Sequence, residues 1–188
     1  AVVTGFPEVW ADFRADAVMV PDDELLALQP QAHDLVIHAM GLHWANDPVG
    51  QLVQCRRALK PDGLCIATFP AGKTLGELRA CLAEAESRET GGLSPRVLPM
   101  GEIRDLGALM QRAGFAQPVA DVVTQIVDYR NLNSLYRDLR AMGETNSLAA
   151  RSRRFTPRRL FAATEKIYQA GFATPEGHLK ATFELQFL

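Results

Sequence analysis

The chain has 188 residues, 47% of them hydrophobic and 22% charged, with a formal net charge of −2. Those values suit a globular domain and argue against a disordered chain or one whose main partner is a polyanion. No apolar run approaches the ~18 residues that a membrane-spanning helix needs, and the opening Ala1-Val2-Val3-Thr4-Gly5 lacks the basic start of a secretory signal.

Short apolar runs alternate with longer amphipathic stretches, the pattern of an α/β domain. Residues 1–4 read as a short strand and 7–13 as a short helix with proline in its first turn. Residues 17–20 form a strand ended by Pro21-Asp22-Asp23, and 24–28 is at most a helical turn. Residues 34–39 make a near-continuous apolar strand, of the kind buried on both faces of a parallel sheet. Asp47 as N-cap and Pro48 as first helical residue then open a helix. Its apolar stripe is Val49, Leu52, Val53 and Leu59, with Arg56 at the same spacing. Lys60-Pro61-Asp62-Gly63 stops it and turns into a strand at 64–69, completing a strand–helix–strand crossover expected to be right-handed. An amphipathic helix at 75–86 precedes a loop at 90–100 and a helix at 102–113 closed by Gly114. A β-branched strand follows at 119–129. Then come helices at 132–142, ended by Gly143, and at 157–170, ended by Gly171, and a last strand at 181–188.

Cys55, Cys65 and Cys81 are odd in number and form no CxxC pair, so they read as buried thiols of a reducing compartment, the cytoplasm. His33, His38, His43 and His178 make no HxxxH or HExxH pair, and no metal site is expected.

The stretch from Asp22 to Gly63 resembles the second half of a class I S-adenosylmethionine-dependent methyltransferase, above all in Leu59-Lys60-Pro61-Asp62-Gly63 before a strand. Leu42-His43-Trp44, Thr74-Leu75-Gly76-Glu77-Leu78-Arg79, Gly92-Leu93-Ser94-Pro95, Arg112-Ala113-Gly114-Phe115 and Met142-Gly143-Glu144-Thr145-Asn146 narrow the likeness. They resemble the methyltransferase-like proteins related to the mitochondrial complex I assembly factor, a group itself similar to the malonyl-[acyl-carrier protein] methyltransferase of biotin synthesis. The resemblance implies a Rossmann-like three-layer α/β sandwich with a helical cap. The core would be 1–128 with 181–188, the cap 130–180, and the last strand would insert beside 119–129. The family's first strand, first helix and glycine-rich loop have no counterpart here. Neither has its ribose-gripping carboxylate, whose place falls near Thr4. A sheet built from this chain would expose unpaired edges, which offer a dimer contact.

By the resemblance, the cofactor is S-adenosylmethionine and Asp22 accepts a hydrogen bond from its adenine amino group, with Asp23 against the ring. The other reading of Asp22 is a cap on the following turn. His38, Ala39, Met40 and Gly41 leave their strand at the ligand-binding edge of an open α/β sheet and would line the same cofactor. His43 is the candidate general base for a methyl acceptor, and Trp44 the candidate wall for a sulfonium. A His-Trp pair ahead of a helix is equally a packed corner. Glu144 and Asn146 beside the C-cap Gly143 fit a substrate lid, with Arg140 one turn earlier at ion-pair spacing; local turn chemistry explains them as well. Arg151, Arg153, Arg154, Arg158 and Arg159 surround Phe155. They read either as the solvated face of a helix or as a docking site for an acidic carrier or partner protein. The substrate implied is a small molecule, a carrier-bound group or a protein, and the reaction methyl transfer. Two readings stand beside it: arginine hydroxylation, associated with the assembly-factor group, and a non-catalytic domain that binds a partner.

Overall fold

The computed structural model describes residues 2–4, 18–21, 23–101 and 103–188. The helix expected at 7–13 and Asp22 lie outside the described residues. In chain order the elements are β1 (Val2–Thr4), β2 (Val18–Val20), β3 (His33–Ala39), a 3-10 turn (Leu42–Trp44), α1 (Pro48–Ala58) and β4 (Leu59–Ala71). There follow α2 (Gly76–Thr90), α3 (Ile103–Arg112), β5 (Asp121–Tyr129), α4 (Leu132–Ala141), α5 (Arg158–Phe172) and β6 (Leu179–Phe187). This is the mixed α/β pattern expected. The residues fall into two compact units, Ala1–Pro70 with Gly101–Val122 and Gln186–Leu188, and Ala71–Met100 with Val123–Leu185.

In the first unit β1 pairs parallel with β2, Val2 opposite Val18 and Thr4 opposite Val20. β3 pairs parallel with β4, and α1 is the connection between them. The Asp47 carboxylate accepts from the Gly50 amide at 2.9 Å and Pro48 begins the helix, so α1 starts as its sequence dictates. The buried face is Gln51, Leu52, Cys55 and Ala58, while Arg56 of the expected stripe is exposed. The small side chains of Cys55 and Ala58 bring the helix down onto the sheet, where Cys55 meets Cys65 of β4. α3 packs on α1 and buries Met110. Leu188 and Ala67 exchange a pair of 2.9 Å backbone hydrogen bonds.

Two expectations are corrected here. β3 is not buried on both faces: Leu35 is 48% and Ile37 61% exposed. The parallel register sets Leu35 beside Leu64 and Ile37 beside Ile66, which are exposed too. α1 covers the opposite face, that of Cys65 and Ala67. The Lys60–Gly63 turn does not separate helix from strand; it lies inside β4. The register steps from His33–Leu59 to Leu35–Leu64, so Lys60 to Gly63 bulge out of the ladder with Asp62 at φ +61°. A Cβ on Gly63 would come within 2.9 Å of Leu59 and 3.0 Å of the Lys60 carbonyl, which is why glycine closes the bulge.

In the second unit α2 packs along α5, and β6 lies beside β5, the neighbour expected for the last strand. The core is Leu78, Leu82, Leu132, Leu135, Tyr168 and Leu179 with their neighbours. Two polar groups buried with it are paired: Thr74 donates to the Ala71 carbonyl at 2.7 Å and accepts from the Glu184 amide at 2.9 Å, and Tyr168 donates to the Lys180 carbonyl at 2.8 Å; the buried Tyr136 hydroxyl has no hydrogen-bond partner among the described residues. α2 runs four residues past its expected end, to a cap at Gly91 with φ +70°. α5 is not stopped by Gly171. It continues to Phe172, whose ring packs edge-on against Tyr168 at 5.7 Å and holds the last turn. Among the described residues no helix is long and apolar enough to cross a membrane.

Candidate functional site

At the carboxyl end of β3 several polar side chains meet. The chain leaves β3 through Met40 at φ +53°, a left-handed conformation that a side chain adopts only at a cost. The Met40 amide is held by the Thr68 carbonyl of β4 at 2.6 Å. Gly41 then turns the chain into the 3-10 turn, whose Leu42 is buried as an anchor. A Cβ on Gly41 would stand 3.2 Å from Cε1 of His38, so backbone and imidazole approach as closely as glycine allows.

Two glutamines of α1 assemble the rest. Gln51 is buried, and its Oε1 accepts from His38 Nε2 at 2.8 Å, a contact that calls for a proton on Nε2. The Gln51 Nε2 donates to the Asp23 carbonyl at 3.4 Å. Gln54 donates to the Glu24 carbonyl at 2.9 Å and accepts from the Leu26 amide at 2.7 Å. Glu24 in turn accepts from the amide and side chain of Asn46, both at 2.7 Å. The loop at 23–26 is thereby tied to the same edge as Gly41, with the Asp23 carboxylate bonded to the Glu24 amide at 2.7 Å and exposed.

Of the residues singled out in the sequence, Asp23, His38, Ala39, Met40, Gly41, His43 and Trp44 belong to the first unit and gather at this edge. Ala39 and Met40 are exposed, His38 and Gly41 half-buried, and Trp44 is 38% exposed. The His43 and Trp44 rings sit 5.3 Å apart at 48°. Asp22 is outside the described residues. Arg140, Glu144 and Asn146 belong to the second unit. There Gly143 at φ +82° turns the chain out of α4, and the Glu144 amide donates to the Leu139 carbonyl at 2.8 Å. Asn146 Nδ2 donates to the Pro95 carbonyl at 2.9 Å, which makes it a tie between two loops.

Sequence reasoning missed Gln51, Gln54 and Glu24. The helix alone does not mark the glutamines, because their partners lie 13 and 30 residues away in sequence. The three cysteines are free and buried. Burial and the neighbouring Glu84 and Glu77 push the Cys81 thiol up to about 11, and contact with Cys65, then burial, raises Cys55, so neither is a nucleophile at neutral pH. Among the described residues no group of three or more histidine, cysteine or acidic side chains is placed to hold a metal ion.

Residues 8–67 match the family model described as a methyltransferase domain. The chain is 35% identical over 178 residues to the zebrafish (Danio rerio) protein named arginine-hydroxylase NDUFAF5, mitochondrial, covering 95% of this chain and 55% of that one. It is 32% identical over 174 residues to the malonyl-[acyl-carrier protein] O-methyltransferase of Laribacter hongkongensis, covering 93% and 56%. The chain thus spans about half the length of those curated relatives. It covers 72% of the putative methyltransferase RP459 of Rickettsia prowazekii, with 30% identity over 162 residues and 86% of this chain aligned. Among solved structures, a putative methyltransferase from Bacillus halodurans superposes with a TM-score of 0.58 at 12% identity, covering 99% of this chain and 80% of that one, a likeness of fold. With its mixed α/β architecture and these relatives, the chain belongs to the class I S-adenosylmethionine-dependent methyltransferase family.

Proposed function

We propose that the protein transfers a methyl group from S-adenosylmethionine to a small-molecule, carrier-bound or protein acceptor. The observation that carries this reading is the carboxyl edge of β3, where Gln51 and Gln54 hold the 23–26 loop beside a glycine that permits close backbone approach. The cofactor is proposed to sit there: Met40 and Trp44 offer exposed apolar surface, and Asp23 offers a carboxylate. Asp22 completes the proposed adenine contact. The cofactor supplies an electrophilic methyl on a sulfonium. Displacement at that carbon demands alignment above all. Gln51 serves it by fixing the His38 ring and the Asp23 backbone together. His43 is proposed to take the acceptor's proton where the acceptor carries one. Arg140, Glu144 and Asn146 are proposed as substrate and lid residues, with 1–128 and 181–188 as core and 130–180 as cap. β3 pairs with β4 alone among the described strands, and a dimer through that edge is part of the proposal. Three free cysteines support a reducing compartment such as the cytoplasm.

The test is calorimetric titration of S-adenosylmethionine and S-adenosylhomocysteine into this chain and into a form extended to its relatives' length. Binding that weakens in Gly41→Val supports the site; no binding by either form overturns the reading in favour of a partner-binding domain. The name of the zebrafish relative favours a second reading, hydroxylation of an arginine. Mass spectrometry of the product separates the two: one added CH2 for methyl transfer, one added oxygen atom for hydroxylation.

A further inference from the structure

The basic run of the sequence is absorbed by none of this chemistry, and its surroundings in the second unit are unusual. Residues 142–157 join α4 to α5 without helix or strand, sixteen residues of a kind that compact domains keep mainly for function. The loop is nevertheless fastened. Asn146 holds the Pro95 carbonyl at 2.9 Å, Arg151 Nη1 donates to the Leu148 carbonyl at 3.0 Å, and the Thr156 hydroxyl accepts from Arg96 Nη1 at 3.1 Å. Between these ties stands Phe155, 96% exposed. Arg153, Arg154 and Arg158 beside it are exposed and enter no ion pair among the described residues. Arg159 pairs with Glu89 at 3.4 Å.

Stability does not account for this arrangement. Arg158 and Arg159 occupy the first turn of α5, which has no acidic residue and no side-chain cap. Cations there oppose the positive end of the helix dipole. The same placement concentrates positive potential around an exposed aromatic ring, the pairing of residue types that dominates protein interfaces. Every basic residue from 151 to 159 is arginine, whose planar fork grips a carboxylate with two hydrogen bonds.

We propose that the 151–159 segment is a docking surface for an acidic protein segment that presents carboxylates around an apolar side chain. The carboxylates pair with Arg153, Arg154 and Arg158, and the apolar side chain covers Phe155. An anionic membrane or a nucleic acid is disfavoured: the remainder of the chain is acidic enough to bring the total to −2, and would be held against a large polyanion. The surface uses no residue of the β3 edge, so it stands or falls apart from the methyl-transfer reading.

The test is fluorescence anisotropy of a labelled helical peptide carrying glutamates at i, i+4 spacing around one leucine, titrated with the full chain at several salt concentrations. Arg153→Glu with Arg154→Glu is expected to weaken binding at least about tenfold and to flatten its salt dependence, and Phe155→Ala to weaken it about tenfold with the salt dependence unchanged. Thermal melts of both variants matching the parent show that the fold is intact. Binding indifferent to these substitutions overturns the proposal. So does tighter capture, through the same arginines, of a single-stranded oligonucleotide or of phosphatidylserine vesicles.

Discussion

Glu86 is the one acidic side chain that the second unit buries with a full set of donors, and its protonation is the sharpest handle on stability. It lies on α2 at 6% exposure. Arg96 binds it through Nη2 at 2.7 Å and Nε at 3.1 Å, and Ser94 through its hydroxyl at 2.7 Å and its amide at 3.0 Å. The Arg96 fork, with Ser94 adding to it against the cost of burial, holds the Glu86 carboxyl at about 2 instead of an ordinary 4.5. A carboxyl whose folded value is depressed stabilises the fold fully above its unfolded value and loses that contribution as pH falls towards the folded one. At 1.36 kcal/mol per unit, the stake is about 3 kcal/mol, surrendered between about pH 5 and pH 2. Urea unfolding followed by circular dichroism, repeated across that range for the parent and for Glu86→Gln, reads it directly. The stability difference between the two should shrink by about 3 kcal/mol as pH falls, because glutamine cannot take up the proton. Arg96→Met should cost about 3–5 kcal/mol at neutral pH by stranding a buried carboxylate, and less in acid. Parallel pH curves for parent and Glu86→Gln would refute the reasoning.

Three further outcomes follow from named contacts. Gly41→Val places a side chain against His38, whose ring must shift, and should lower S-adenosylmethionine affinity about tenfold or more in calorimetry; affinity equal to the parent's would remove Gly41 from the site. Gln51→Leu leaves the His38 Nε2–H without its 2.8 Å acceptor and should destabilise the first unit by about 1–3 kcal/mol in urea melts; an unchanged midpoint would remove Gln51 from its organising role. Leu135→Ala empties a fully buried position and should cost about 2–5 kcal/mol in the same assay, sparing cofactor affinity if its effect is confined to packing.

Much of the fold is written in local chemistry. Asp47-Pro48 announces α1 because a carboxylate and a fixed φ act within one turn, and Gly114 and Gly143 end their helices by the left-handed conformations that their neighbours avoid. What resists reading is set by long-range geometry. Gly171 sits inside α5, whose last turn carries Tyr168, fully buried and bonded to the Lys180 carbonyl of β6. The Lys60–Gly63 turn lies within a strand because pairing with β3 resumes on its far side. At the candidate site, the glycine and histidines were visible as residue types in a suggestive order. The glutamines that organise them were not, since a glutamine on a helix looks like solvent-facing polarity until the sheet beneath it is known.

The Arg96 side chain has a consequence for motion. One guanidinium fastens α2 and the Thr156 hydroxyl at once, and Asn146 fastens the same two loops a second time through Pro95. Neither loop can lift away while the other stays down. In hydrogen exchange, the Ser94 amide, closed on Glu86, and the Leu148 amide, closed on Asn146, should therefore share a single opening rate, and cutting the tie with Arg96→Met should release both together.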